Sequence, residues 1–288
     1  MTAGPPTPGV VLYCRARRSP PVVPTVQCNG ADLYYEDRGE GRPVVFLHGV
    51  MAGLRYFEPQ LSGLSDGYRT LALDFRGHGR SEKAELGHTV RQYARDVRAF
   101  LDHLDLEDAV LVGWSMGALV AWDYVEQFGT DRIAGIVDVD MEPTRFQWDD
   151  YDHGTSDLAL LREVVEQIQT DHLQLAADIV EPLLAEPPSP ELRRTMIDET
   201  SRCPPPIKCA VLFDCTFRDY RAVLPDIDVP MLVCAGTDEE WRSVASIEYA
   251  AELAPEARVE YFEASGHCPQ VEEPERFNRV VAEFVESV

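Results

Sequence analysis

The chain has 288 residues, 45% of them hydrophobic, and carries 50 Asp and Glu against 26 Lys and Arg, a net charge of -24. Such a field repels nucleic acid and anionic membrane surfaces, which excludes both as partners. No run reaches the ~18 apolar residues of a membrane span, so the chain reads as a globular protein with one large domain plus an insertion, or two small ones.

The opening residues lack the charged and apolar regions of a secretory signal, which predicts a cytoplasmic location. Lys83 and Lys208 are the only lysines. An acid-rich, lysine-poor chain is the composition expected of a halophilic protein, with arginine bias in a GC-rich genome as the alternative. Cysteines stand at 14, 28, 203, 209, 215, 234 and 268, an odd number without C-x-x-C or Cys/His zinc spacing. This predicts reduced thiols and no metal site.

Residues 1–24 are proline-rich, contain Arg15-Ala16-Arg17-Arg18, and read as a disordered tail or a start placed too far upstream. The turn pair Asn29-Gly30 between Thr25-Val26-Gln27 and Asp32-Leu33-Tyr34-Tyr35-Glu36 predicts a hairpin. Pro43-Val44-Val45-Phe46-Leu47 is wholly apolar, as in a strand buried on both faces of a parallel sheet, and ends in His48-Gly49-Val50-Met51. A second strand over 68–74 runs into Asp74-Phe75-Arg76-Gly77-His78-Gly79-Arg80-Ser81. Val90, Tyr93, Val97, Phe100, Leu101 and Leu104 share one face of a helix. Next come the strand Ala109-Val110-Leu111-Val112, the pentapeptide Gly113-Trp114-Ser115-Met116-Gly117, a helix over 118–128 and a strand over 133–140.

Strand alternating with helix predicts an α/β fold with a mostly parallel, doubly wound sheet and a ligand crevice at the carboxyl ends of its strands. The rhythm changes after 142, where helical stretches at 158–168, 172–184, 190–203 and 207–218 are separated by Pro187-Pro188 and Pro204-Pro205-Pro206. The core is therefore expected over 25–142 and 227–288, with a helical cap over 143–226. Strands over 230–236 and 257–262 and a closing helix over 274–288 complete it. No internal repeat is visible.

An apolar strand, then small-x-Ser-x-small, then a helix is the pattern of a nucleophile elbow, which makes Ser115 the candidate nucleophile. An acyl-transfer site also needs a base, an acid that orients it and an oxyanion hole. His267 stands after the final strand and before the final helix, with Gly266 freeing the turn, and is the candidate base. The backbone N–H groups of Met116 and Val50 are the candidate oxyanion donors. His48 is expected to hold its turn by side-chain hydrogen bonds and, with Trp114, Trp148 and Phe217, to border the substrate pocket. Phe146, Phe213 and Tyr220 are weaker pocket candidates, since aromatics on helices also build cores.

These motifs carry a resemblance. Over 25–288 the chain resembles the α/β-hydrolase superfamily, through His48-Gly49, Asp74-x-Arg76-Gly77-x-Gly79-x-Ser81, Gly113-x-Ser115-x-Gly117 and Gly266-His267 in order and spacing. It is most similar to the capped serine enzymes: enol-lactonases of the 3-oxoadipate type, carboxylesterases and cofactor-free haloperoxidases. Haloalkane dehalogenases carry aspartate where Ser115 stands, which excludes their chemistry. The resemblance implies hydrolysis of a carboxylic ester or lactone of a small, partly apolar substrate through an acyl-enzyme, with no cofactor and no metal, by a monomer or homodimer. Alternatives are haloperoxidase or perhydrolase chemistry, acyl transfer, carbon–carbon bond or prolyl-peptide hydrolysis on the same site, or a binding protein without turnover. It also implies a structural role for the segment from Asp74 to Ser81. For the acid it points two ways. In most of the family that residue lies three positions after the glycine ending the next-to-last strand, giving Glu239, with Asp238 one short. Some branches place it after the preceding strand, giving Asp140, the favoured candidate.

Overall fold

The computed structural model describes Met1 and residues 24–238 and 241–288. The expected tail over 1–24, apart from its end residues, and Glu239 lie outside the described residues.

Strands β1 (Thr25–Cys28) and β2 (Ala31–Arg38) form an antiparallel hairpin. Asn29 (φ 47°) and Gly30 (φ 80°) both take the left-handed conformation that a tight two-residue hairpin turn demands. The remaining strands are β3 (Pro43–Leu47), β4 (Arg69–Leu73), β5 (Ala109–Trp114), β6 (Ile133–Val139), β7 (Met231–Gly236) and β8 (Ala257–Phe262). They join one eight-stranded sheet in the order β1-β2-β4-β3-β5-β6-β7-β8. β3 to β8 are mutually parallel, and β2 meets β4 antiparallel.

The helices are α1 (Glu58–Gly63), α2 (Val90–His103), α3 (Met116–Phe128), α4 (Leu158–Asp178), α5 (Pro190–Ser201), α6 (Pro205–Thr216), α7 (Val244–Leu253), α8 (Pro269–Glu272) and α9 (Pro274–Ser287). Alternate side chains along each central strand enter opposite cores, which is why these strands are apolar throughout. Val45, Leu47, Leu71, Leu73 and Leu111 pack with Tyr93, Val97 and Phe100 of α2 and with Trp122 of α3. Val44, Phe46, Ala72, Val110 and Val112 pack with Leu61 of α1 and with Phe277, Val281 and Phe284 of α9. Among the described residues no helix is long and apolar enough to cross a membrane.

Between β6 and β7 the chain forms α4, α5 and α6. α4 divides at Asp171, whose φ of -153° and ψ of 76° are not helical, so the two helices expected over 158–168 and 172–184 meet there. The Asp171 carboxylate accepts from Gln174 N at 3.0 Å, so it caps the second half as a fresh helix start. The insertion is bound to the core by apolar contact, with Leu161, Ile168 and Leu175 of α4 and Val211 and Leu212 of α6 in the same cluster as α2 and α3. Tyr220 reinforces this seam by donating to Asp123 on α3 at 2.8 Å.

Candidate active site

β5 is buried over its whole length and ends against Ser115, whose φ of 53° and ψ of -120° place it in a strained conformation. Strand and helix reverse so tightly here that a side chain on Gly117 would strike the Leu47 carbonyl of β3, and one on Gly113 the Gly117 backbone. The first N–H groups of α3 have no partners within the helix, so Met116 N–H stands beside Ser115 with the positive end of the helix dipole.

At the end of the neighbouring strand β6, Asp140 is also left-handed, with φ 56°. Ser115 N donates to Val139 O at 2.9 Å, tying the two strand ends together. Asp140 N donates to Cys234 O at 2.9 Å, and Oδ1 accepts from Gly236 N at 3.0 Å, both on β7. The other carboxylate oxygen, Oδ2, lies 2.6 Å from Nδ1 of His267. With Nδ1 donating to a carboxylate, Nε2 is left as the proton acceptor. The His267 backbone is fixed on two sides: N donates to Leu183 O of the cap at 2.9 Å, and O accepts from Trp114 Nε1 at 2.7 Å. Gly236 permits this approach, since a side chain there would strike the Gly266 carbonyl.

The sequence reading missed a charged cluster beside the imidazole. Arg242 Nη1 lies 3.1 Å from Nδ1 and 3.2 Å from Nε2 of His267. An in-plane approach equidistant from both nitrogens would collide with the carbon between them, so the guanidinium sits over the ring face. Its Nε pairs closely with Glu142 Oε2, and Glu142 Oε1 accepts from the Thr155 hydroxyl at 3.1 Å. Asp138, Asp140 and Glu142 alternate along and just beyond β6 and are all fully buried. The Asp138 carboxyl is held well above the usual carboxylate range, first by burial and then by repulsion from Asp140 and Glu142, against an opposing effect of Arg242. The legible signal was the run of acidic residues at alternate positions leaving an apolar strand. The Arg242 contact had none, because it depends on a loop whose course no motif encodes.

The turn after β3 is held by His48. Its Nε2 accepts from Phe75 N at 3.0 Å, which leaves Nδ1 to donate to Gly49 O at 2.8 Å. Burial pushes this imidazole below its ordinary pKa, consistent with a neutral ring. Asp74 clamps the same region, accepting from Leu54 N and Arg80 N at 2.7 Å each. Arg76 is bound to Asp96 at 2.6 Å, so the segment from Asp74 to Ser81 is internally braced.

Ser115, His267, Val50 and Trp114 line one cavity of about 440 Å³ under the cap, together with Leu160, Val164 and Leu212 from α4 and α6. Asp238 borders a different cavity beside Glu181 and Arg193. Trp148 and Phe217, expected at the pocket, instead pack against Phe146, each with ring centroids 4.8 Å apart, and His48, also expected there, is fully buried and is not among the lining residues. Phe213 is exposed and Tyr220 is engaged with Asp123. In their place the cavity has Tyr56, stacked on Trp114 at 4.8 Å, and Trp241, whose ring lies 6.0 Å from that of His267.

A parallel sheet with a serine elbow, a late histidine loop and a helical insertion over the site defines an α/β-hydrolase enzyme. Residues 44–280 match the sequence model of the alpha/beta hydrolase family, and the chain belongs to that family. It is 30% identical over 263 residues to the AB hydrolase superfamily protein YisY of Bacillus subtilis, covering 88% of this chain and 96% of that one. It is 31% identical over 278 residues to a non-heme chloroperoxidase of Streptomyces lividans, covering 90% and 98%. Among solved structures, an esterase from Exiguobacterium antarcticum superposes with a TM-score of 0.87 at 26% identity, covering 91% of this chain and 98% of that one.

Proposed function

We propose that the protein is a serine hydrolase of carboxylic esters or lactones, with Ser115 as nucleophile, His267 as base and Asp140 as the acid orienting it. The observation that carries this reading is the 2.6 Å contact between Asp140 Oδ2 and His267 Nδ1 on the wall that also holds Ser115. It leaves Nε2 able to take a proton from the serine as the hydroxyl attacks the substrate carbonyl. The oxyanion is received by the N–H groups of Met116 and Val50. The imidazolium, stabilised by Asp140, returns its proton to the leaving alcohol and then activates water to release the acid. Bordering leucines and valines suit a small, partly apolar acyl group.

Ser115→Ala is expected to lower hydrolysis of p-nitrophenyl butyrate by roughly 10⁴-fold or more while leaving thermal unfolding near that of the parent. Activity retained in that variant overturns the assignment. A second reading, peracid formation from a carboxylic acid and peroxide at the same serine, is favoured by the likeness to the Streptomyces lividans chloroperoxidase. Halide-dependent bromination with peroxide and acetate is its readout.

A further inference from the structure

Glu199, on α5, is 2% exposed and reaches from the cap to the core at the turn Leu54–Phe57 and at Asp74. A side chain on Gly53 would strike Glu199 Oε2 and come within 3.1 Å of Asp74 Oδ1, so two carboxylates converge on one glycine. Asp74 is committed to the core, accepting from Leu54 N and Arg80 N. The neighbouring arginines hold Glu199 loosely, because both lie closer to Asp198. Arg55 Nη1 is 3.4 Å from Glu199 Oε1 and 3.1 Å from Asp198 Oδ2. Arg202 approaches Glu199 to 3.6 Å and Asp198 to 2.7 Å. Lys83, whose charge also reaches Glu199, donates to the carbonyls of His78, Gly79 and Ser81. Tyr56 is the remaining titratable neighbour, and burial raises its phenol well above the ordinary value. Burial first, then Asp74, push the Glu199 carboxyl up to about 7, against the opposing effect of Arg202 and Arg55.

This seam between cap and core is also a wall of the cavity that holds Ser115. Thr200 follows Glu199, Tyr56 follows Arg55, both line the cavity, and their side chains are hydrogen-bonded to each other. Parting α5 from the turn therefore opens the cavity. A proton on Glu199 removes both the repulsion from Asp74 and the penalty of a buried charge. Once that proton is lost, both return, and both are relieved when α5 moves out and the carboxylate meets water. We propose that Glu199 is a proton-controlled latch, closing α5 on the turn Leu54–Phe57 when protonated and releasing it, to admit substrate, when ionised. In the parted state the carboxyl has its ordinary value of 4.5, so closure is fullest below that pH, weakens as pH rises toward 7, and levels off above. Only the last step, admission of substrate, rests on the hydrolase reading.

The test is hydrogen–deuterium exchange at pH 5 and pH 8, corrected for the intrinsic rate of each amide, with α3 as the internal reference. From pH 5 to pH 8 the parent is expected to lose protection in α5 by about tenfold or more relative to α3. Glu199→Gln keeps the neutral shape, and its change is expected to stay below about threefold. Equal relative protection at the two pH values in the parent, or the same loss in Glu199→Gln, overturns the latch. A loss shared equally by α3 is global unfolding and also overturns it. If Glu199→Gln does not fold, the parent's own comparison of α5 with α3 decides. Admission of substrate is read from kcat/KM on p-nitrophenyl butyrate, as the ratio of parent to Glu199→Gln. The pH dependence of the base is common to both proteins and cancels in this ratio. It is expected near one at pH 5 and about threefold or more at pH 8, and a ratio constant with pH overturns the gating step. Should Ser115→Ala retain the parent's activity, the hydrolase reading fails, while exchange in α5 still decides the latch.

Discussion

At the scale of single residues, the site depends on two left-handed positions at adjacent strand ends, Ser115 and Asp140. Removing the charge but not the shape of Asp140 separates its orienting role from its packing. Asp140→Asn is expected to lower kcat by roughly 10³–10⁴-fold, because the amide no longer selects the tautomer with Nε2 free. Asp238→Asn, on another cavity, is expected to stay within about threefold of the parent. Equal losses in the two variants, read from steady-state kinetics on p-nitrophenyl butyrate, would contradict the assignment. Residue-level legibility is uneven. Strand-end logic alone points to Ser115, Trp114, Val50 and His267, and all four line one cavity. Size and aromatic character point to Trp148 and Phe217 as well, but these pack on Phe146 instead. Arg242 is invisible in the sequence because a guanidinium's target is set by tertiary contact, not by local pattern.

At the scale of elements, β6 carries the unusual chemistry. Asp138 is a fully buried carboxyl on a central strand, with its pKa raised by burial. A raised pKa means the folded state binds more protons than the unfolded one. Its stability is therefore intact below the unfolded carboxyl value and declines as pH rises through and above it. Asp138→Asn lacks that loss, so its melting temperature relative to the parent should climb from pH 5 to pH 8. A difference independent of pH would contradict this account of the strand. The elbow makes a second demand, on space: Gly117→Ala forces a methyl against the Leu47 carbonyl and is expected to destabilise by about 1–3 kcal/mol in chemical denaturation. The sheet is readable because runs such as Val110-Leu111-Val112 have no polar face to spare. The cap helices are readable from period and proline breaks. The break expected between the first two cap helices falls at Asp171, whose carboxylate caps the second of them.

At the scale of the whole molecule, the dominant electrostatic feature is a net charge of -24. Self-repulsion of the surface is screened within about 10 Å at 0.1 M salt and about 3 Å at 1 M. Melting temperature should therefore rise with KCl up to about 1 M from screening alone. A continued rise toward 3 M is the outcome expected of a halophilic surface, whereas a plateau at 1 M indicates arginine bias without salt adaptation. The fold itself is legible from strand order and motif spacing, since β3 to β8 follow the alternation of apolar runs and amphipathic stretches.

The central claim is that one hydroxyl, made nucleophilic by the His267–Asp140 pair, performs the chemistry. Mass spectrometry of the protein treated with a fluorophosphonate addresses it directly. The account predicts a single adduct, on Ser115, formed by the parent and strongly slowed in His267→Ala; an adduct elsewhere, or none in the folded parent, would contradict it.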